Sequence, residues 1–165
     1  MSASRRIEPG PGQESVWDYP RPPRVEPSQR RVRIVFNGKT IVDSMRALRV
    51  LETSGPPVYY VPPEDVALDT LIPADHRTWC EWKGMADHYT LRVDGRESLR
   101  AAWSYPTTTP GYEALTGYFA FYPGRVDECL LDDEPVQPQP GDYYGGWITR
   151  DIVGPFKGGP GTDWW

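Results

Sequence analysis

The sequence has few of the residues that hold metal ions, since its 165 residues include only two cysteines and two histidines. Cys80 and Cys129 lie far apart in the chain and form no CxxC motif. A closed zinc site needs four converging ligands, so we predict no bound metal. Two reduced thiols, as cytoplasmic proteins keep them, are the simpler interpretation.

Long apolar runs and an excess of positive charge are missing as well. No segment approaches the ~20 apolar residues of a membrane span, and no apolar region follows Arg5 and Arg6 to make a secretory signal. The net charge is −5, which gives no cationic surface for nucleic acid or anionic lipid. We therefore expect a cytoplasmic protein that has neither nucleic acid nor a membrane as its partner.

The length of the chain suits one domain. Segments rich in proline and glycine divide it into three parts. Residues 1–29 are a proline-rich arm, for which an extended strap on the domain and a free linker are equally compatible with the sequence. Residues 30–134 form the core β domain. Residues 135–165 are an extension rich in glycine, proline and tryptophan, which we expect to pack on the core through its aromatic side chains.

Turn signals and short apolar runs predict an all-β fold. Asn37-Gly38 and Asp94-Gly95 each stand between two strand-like runs, and both dipeptides are typical of tight hairpin turns. Val58–Val61 reads as a short aromatic strand, and Tyr118–Tyr122 as a central one. We predict a mainly antiparallel sandwich or barrel-like domain with one or two short helices and extended termini.

Charged side chains stand among aromatic ones in several segments, above all around Lys83. Such charges either neutralise one another, for example Glu52 with Arg46 or Lys83, or converge on a polar ligand. The second interpretation predicts an aromatic pocket that binds a small polar or anionic ligand. Its candidate binding residues are Arg46, Glu52, Tyr59, Tyr60, Asp65, Cys80, Trp82, Lys83, Trp103 and Tyr105.

The glycine-rich segment 154–161 is a poor candidate for a phosphate-binding loop. Lys157 precedes the glycines, and Pro155 and Pro160 remove backbone amides on which such loops depend. We interpret it as a structural tail.

Seven segments occur in an order that resembles a bacterial family, "domain of unknown function 427", which is also filed as nucleotidyltransferase-like. The resemblance covers about residues 31–126. Its segments are Val42–Ala47, Val50–Thr53, Pro56–Pro62, Asp65-Val66, Thr78–Ala86, Ala102–Pro106 and Ala120–Pro123. It implies a small, mostly β domain. Glu81 departs from the family, in which many members have proline, and adds a charge to the candidate site.

Ligand binding is the leading hypothesis, and three alternatives stay open. Two would make the chain an enzyme. One is a nucleotidyltransferase, and the other uses the thiol of Cys80 for catalysis. Of these, only the nucleotidyltransferase would require a cofactor, Mg²⁺. The third is an interaction module in which Trp164, Trp165 and the proline-rich arm pack against a second copy in a homodimer.

Overall fold

Short strands joined by turns account for the regular structure in the computed structural model, which describes residues 6–141, 143–162 and 164–165. The strands are β1 (Glu14–Ser15), β2 (Arg24–Pro27), β3 (Val32–Phe36), β4 (Lys39–Ser44), β5 (Leu48–Leu51), β6 (Val58–Tyr60), β7 (Leu71–Cys80), β8 (Gly84–Val93), β9 (Arg96–Ser104), β10 (Phe119–Phe121), β11 (Glu128–Leu131), β12 (Glu134–Pro135), β13 (Gln137–Pro138), β14 (Trp147–Ile148) and β15 (Ile152–Val153). The all-β prediction is confirmed.

The helical content of the described residues is limited to single 3₁₀ turns. These turns span Val16–Asp18, Pro63–Asp65, Leu68–Thr70, Glu113–Leu115 and Pro123–Arg125. Within the same residues, no helix is long and apolar enough to cross a membrane.

One four-stranded antiparallel sheet, with the order β12-β11-β3-β4, is built on the first predicted hairpin. Asn37 and Gly38 both have positive φ, 49° and 77°, as the tight turn between β3 and β4 requires. Alternation in β3 points Val32, Ile34 and Phe36 into the core, where each is at most 2 % exposed. This hairpin is therefore confirmed, with its apolar face buried.

The second four-stranded sheet, with the order β10-β9-β8-β7, carries most of the candidate site. The β8–β9 hairpin turns at Asp94 and Gly95 as predicted, with φ of 50° and 82°. The long β7–β8 hairpin was not predicted, because Pro73 and the charges around it interrupt the strand pattern. The prediction of a central strand at Tyr118–Tyr122 is wrong, since β10 lies at the edge of this sheet. Its apolar side chains are explained by burial, since Ala120 and Phe121 are at most 1 % exposed. A bridge between Phe119 and Val61 joins β10 to the chain beyond β6.

Three smaller sheets connect the termini to the core. A three-stranded sheet has the order β2-β5-β6, β13 pairs with β14, and β1 pairs in parallel with β15. The largest hydrophobic cluster lies between the two four-stranded sheets, and Trp147 of the extension belongs to it. A second cluster around Tyr60, Trp103 and Tyr105 borders the candidate site.

Candidate functional site

A cavity of about 310 Å³ opens beside the second hydrophobic cluster, between the inner face of the β7–β9 sheet and the C-terminal extension. Its floor is formed by side chains that strand alternation directs inward. Thr78 and Cys80 of β7 line it, and Trp79 between them, which is 60 % exposed, also belongs to the lining. His88 of β8 is paired in register with Trp103 of β9, so these two rings also lie on the floor.

The aromatic wall of the cavity is held by edge and stacking contacts. Tyr60 meets Trp103 edge-on, with ring centroids 6.2 Å apart, and Tyr105 lies 6.3 Å from Tyr60. The indole Nε1–H of Trp103 donates to the hydroxyl oxygen of Tyr60 at 3.3 Å. All three side chains are buried. These contacts fix the positions of the rings before any ligand arrives.

The tip of the β7–β8 hairpin brings Lys83 to the cavity. The backbone amide of Thr109 donates to the carbonyl of Lys83 at 3.1 Å, and the Thr109 hydroxyl donates to the carbonyl of Trp82. Gly84 has a φ of 119°, which only glycine adopts readily, and lies close to the carbonyl of Thr107. The ammonium of Lys83 is 6.0 Å from the ring centre of Tyr105.

Lys83 keeps its charge at neutral pH. Burial opposes that charge, but interactions with Tyr60, Cys80 and Glu52 favour it, and the net effect raises the pKa of Lys83. A lysine of this kind supplies a positive charge to the cavity.

The roof of the cavity comes from the extension, whose lining residues are Gln139, Tyr143, Tyr144, Gly145 and Lys157. Gln139, which is 6 % exposed, joins the two roof segments. Its Nε2 donates to the carbonyl of Lys157 at 2.7 Å, and its Oε1 accepts from the amide of Gly146 at 3.0 Å. The amide of Lys157 in turn donates to the carbonyl of Ser54. The roof is thereby tied to the β5–β6 connection.

Gly145 allows the roof to lie directly on the floor. A Cβ at this position would come within 2.3 Å of the Trp103 ring, so a larger residue would lift the roof or displace the indole. The ring of Tyr122 also packs on Trp103, at 4.7 Å. Trp103 is therefore enclosed from several sides.

Three cations line the cavity. Arg21 pairs with Glu52, with Nε and Oε2 3.4 Å apart. Lys83 and Lys157 make no ion pair within 4.0 Å with any carboxylate among the residues that the structure describes. The chain has three lysines, and the third, Lys39, pairs with Asp69 outside the cavity. The two cavity lysines thus offer positive charges without a direct ion pair to a described carboxylate, although Glu52 is near enough to favour the charge of Lys83.

Sequence comparison identifies the family. The sequence model described as "Domain of unknown function (DUF427)", whose own name is NTP_transf_9, matches residues 24–132. The chain belongs to this family. No curated protein matches the sequence.

The cavity is not confined to the DUF427 domain. The floor and the aromatic wall lie within the matched residues, whereas Arg21 precedes the match and the roof follows it. The DUF427 domain of this chain therefore shares its cavity with two segments outside the family match.

Seven of the ten candidate residues line the cavity, namely Glu52, Tyr60, Cys80, Trp82, Lys83, Trp103 and Tyr105. The other three lie elsewhere. Arg46 and Asp65 form an ion pair with each other at 2.7 Å, and the Ser44 hydroxyl donates to Asp65. Tyr59 points to the other face of β6, where its ring packs against Trp147 at 4.9 Å.

Sequence reasoning missed Arg21, His88, Gln139 and Lys157, which also line the cavity. No local pattern singles out Arg21 or Gln139, because both lie in proline-rich segments. The sequence did contain a signal for His88, since it follows Ala86 on the alternating inward face of β8.

The described residues include no group of three or more histidine, cysteine, aspartate or glutamate side chains suited to hold a metal ion.

His88 is buried in the neutral form. It is 3 % exposed, its Nε2 lies 2.9 Å from the hydroxyl of Thr78, and its Nδ1 has no hydrogen-bond partner among the described residues. Burial lowers the pKa of His88 to about 4, and the neighbouring positive groups, His76, Arg125 and Arg100, act in the same direction. Asp87 opposes them without reversing the effect.

Stability should consequently fall as the pH drops from about 6.5 towards about 4. In this window the unfolded chain takes up a proton at His88 and the folded protein does not. At about 1.4 kcal/mol for each pH unit of difference, the expected loss is about 3 kcal/mol. Urea denaturation across this range should show the loss in the wild type, a somewhat smaller loss in His76→Gln, which removes one of the groups that lower the pKa of His88, and the flattest profile in His88→Gln. An unchanged profile in His88→Gln would contradict this assignment.

Proposed function

We propose that this cavity binds a small organic anion, and that the protein is a binding domain for that ligand. The observation that carries the proposal is the pair of lysines, Lys83 and Lys157, facing one cavity without a carboxylate partner among the described residues. Burial by itself opposes the charge of Lys83, and no direct ion pair balances that desolvation. An incoming anion would add the missing partner.

The size and lining of the cavity support a compact ligand. Its volume is close to that of about ten water molecules, at the small end of the range for ligand sites. The rings of Trp82, Trp103 and Tyr105 offer apolar surface for the body of the ligand, while Arg21 and Glu52 supply polar groups at one side. A few polar groups in an aromatic pocket are the usual composition of a small-molecule site.

Lys83→Met tests the proposal, with Lys39→Met as a matched control on a lysine outside the cavity. Thermal-shift and calorimetric titrations would use benzoate, phenyl phosphate and succinate, each beside its neutral counterpart benzamide, phenol or succinamide. At least one anion should stabilise the wild type and Lys39→Met. Its affinity should fall about tenfold or more in Lys83→Met, as expected for the loss of a hydrogen bond from a charged donor.

The ligand-free variants provide a second measurement. Lys83→Met should unfold at a temperature close to that of the wild type, because the substitution keeps the apolar stem, and the loss of the interactions that favour the ammonium is balanced in part by the removal of its desolvation. The proposal fails if no anion stabilises the wild type, if the neutral counterparts bind as well, or if Lys83→Met binds the anion like Lys39→Met.

A further inference from the structure

Three aromatic side chains that line the cavity are also exposed to solvent, which places them at its mouth. Trp79, Tyr143 and Tyr144 are 60 %, 61 % and 39 % exposed, respectively. Trp79 belongs to β7, an edge strand of its sheet, whereas the two tyrosines belong to the extension. The rings of Trp103 and Tyr105 are buried. The cavity therefore has an outer set of rings, here called the mouth rings, in addition to its buried aromatic wall.

Lys157 connects the mouth rings to the positive charge of the cavity. Its ammonium lies 5.0 Å from the centre of the Tyr144 ring. The ring of Tyr143 meets that of Tyr144 edge-on, with centroids 5.0 Å apart, and the carbonyl of Tyr143 accepts a hydrogen bond from the Tyr122 hydroxyl at 3.2 Å. An anion that binds the Lys157 ammonium consequently lies close to the ring of Tyr144, and the body attached to that anion can cover the mouth rings.

Several polar side chains of the lining are already occupied by hydrogen bonds within the protein. The hydroxyl of Thr53 donates to the carbonyl of Tyr19 at 2.6 Å, and both ends of the Gln139 amide are bonded to the extension. Arg21 donates to the carbonyls of Thr53 and Trp165 at 3.0 and 3.3 Å. A sugar needs free donors and acceptors for its hydroxyl groups, whereas an aromatic ring needs apolar faces and edges. The lining therefore favours the aromatic ring.

We infer that the ligand is an aromatic acid whose ring packs against the mouth rings while its anionic group faces the cavity lysines, and that Trp79 is a residue that determines specificity. This inference rests on the proposed anion-binding function and adds the chemical class of the ligand. Binding removes apolar surface of both partners from water. Stacked and edge-on contacts between aromatic rings add to that burial, so a planar ring is preferred to a saturated one of similar size.

Trp79→Ala tests the inference, and Trp164→Ala is the matched control, since it removes an exposed indole that lies outside the lining of the cavity. Both variants should fold like the wild type, because exposed side chains contribute little to stability. Isothermal titration calorimetry with 2-naphthoate should give a Kd about tenfold weaker in Trp79→Ala than in the wild type, and an unchanged Kd in Trp164→Ala. Trp79→Phe, which keeps an aromatic ring, should recover most of the affinity.

A series of ligands tests the aromatic class on the wild type. Benzoate and cyclohexanecarboxylate carry the same charge and are similar in size, and only benzoate has an aromatic ring. Benzoate should bind about threefold more tightly or better, and 2-naphthoate, with its larger aromatic face, should bind more tightly than benzoate. Glucuronate, an acid whose ring carries hydroxyl groups, should bind more weakly than benzoate.

The outcomes separate this inference from the proposed function. If Trp79→Ala binds 2-naphthoate like Trp164→Ala while Lys83→Met loses it, the anion site stands and the inference is overturned. If cyclohexanecarboxylate or glucuronate binds the wild type as tightly as benzoate, the cavity does not select aromatic rings, and the inference is again overturned. If no anion binds the wild type, both the inference and the proposed function fail.

Discussion

Trp147→Ala is expected to lower the free energy of unfolding by about 3–5 kcal/mol, the usual cost of removing a buried tryptophan. Trp147 is 1 % exposed and belongs to the largest hydrophobic cluster. Its Nε1 donates to the carbonyl of Phe121 at 3.2 Å, and its amide donates to the carbonyl of Pro57 at 2.8 Å. Trp147 lies beyond the end of the family match, so a large loss would establish that the extension completes the core of the DUF427 domain.

Trp164→Ala is the matched control, because Trp164 is 94 % exposed and its removal should change the stability by less than about 0.5 kcal/mol. Since domains are stable by only about 5–15 kcal/mol, Trp147→Phe provides a milder second variant. It keeps a ring in the core but leaves the Phe121 carbonyl without its donor. Guanidinium denaturation followed by far-UV circular dichroism measures all three. Equal stabilities of the two alanine variants would mean that the extension does not share the core.

The backbone preferences of the turn residues explain why the β3–β4 and β8–β9 hairpins were predictable. Asn37-Gly38 and Asp94-Gly95 determine the chain reversal through their own backbone preferences, and the flanking apolar residues then fix the register. The β7–β8 hairpin has no such signal. Its turn residues are Glu81, Trp82 and Lys83, whose position depends on hydrogen bonds to Thr109. Such contacts are distant in the sequence and leave no local pattern.

The floor of the cavity was predictable in part, and the roof was not. Cys80, Lys83 and Trp103 stand in segments that mix charged and aromatic residues, which singled them out as candidates, although the β7–β8 hairpin that places them together has no local signal. Backbone hydrogen bonds to Gln139 and Ser54 place Lys157 at the cavity. No periodic pattern in the sequence predicts these contacts. From the sequence alone, several carboxylates were possible ion-pair partners of Arg46. Its pairing with Asp65 depends on the bridge between Val42 and Val66, which places the two segments side by side.

Gly158→Ala is expected to open the roof of the cavity. Gly158 has a φ of 123°, and a Cβ there would lie 1.9 Å from the carbonyl oxygen of Pro140, which is far inside contact distance. Because the obstacle is backbone, one of the two roof segments must move. Backbone strain and overpacking each cost about 1–3 kcal/mol, so we expect a loss of about 3 kcal/mol or more in stability. The movement should also displace Lys157, which directly precedes Gly158.

Gly161→Ala separates strain from steric contact. Gly161 also has a positive φ, 80°, but a Cβ at this position would meet no described atom within 4 Å apart from its chain neighbours, so alanine should cost only about 1–2 kcal/mol. Denaturation and anion titration of both variants distinguish the two effects. If the roof acts through the Gly158–Pro140 contact, Gly158→Ala loses stability and weakens anion binding, whereas Gly161→Ala keeps the affinity. Equal affinities would show that the floor alone holds the anion. Lys83 would then be the cation that determines the affinity, and Lys157 would not contribute to it.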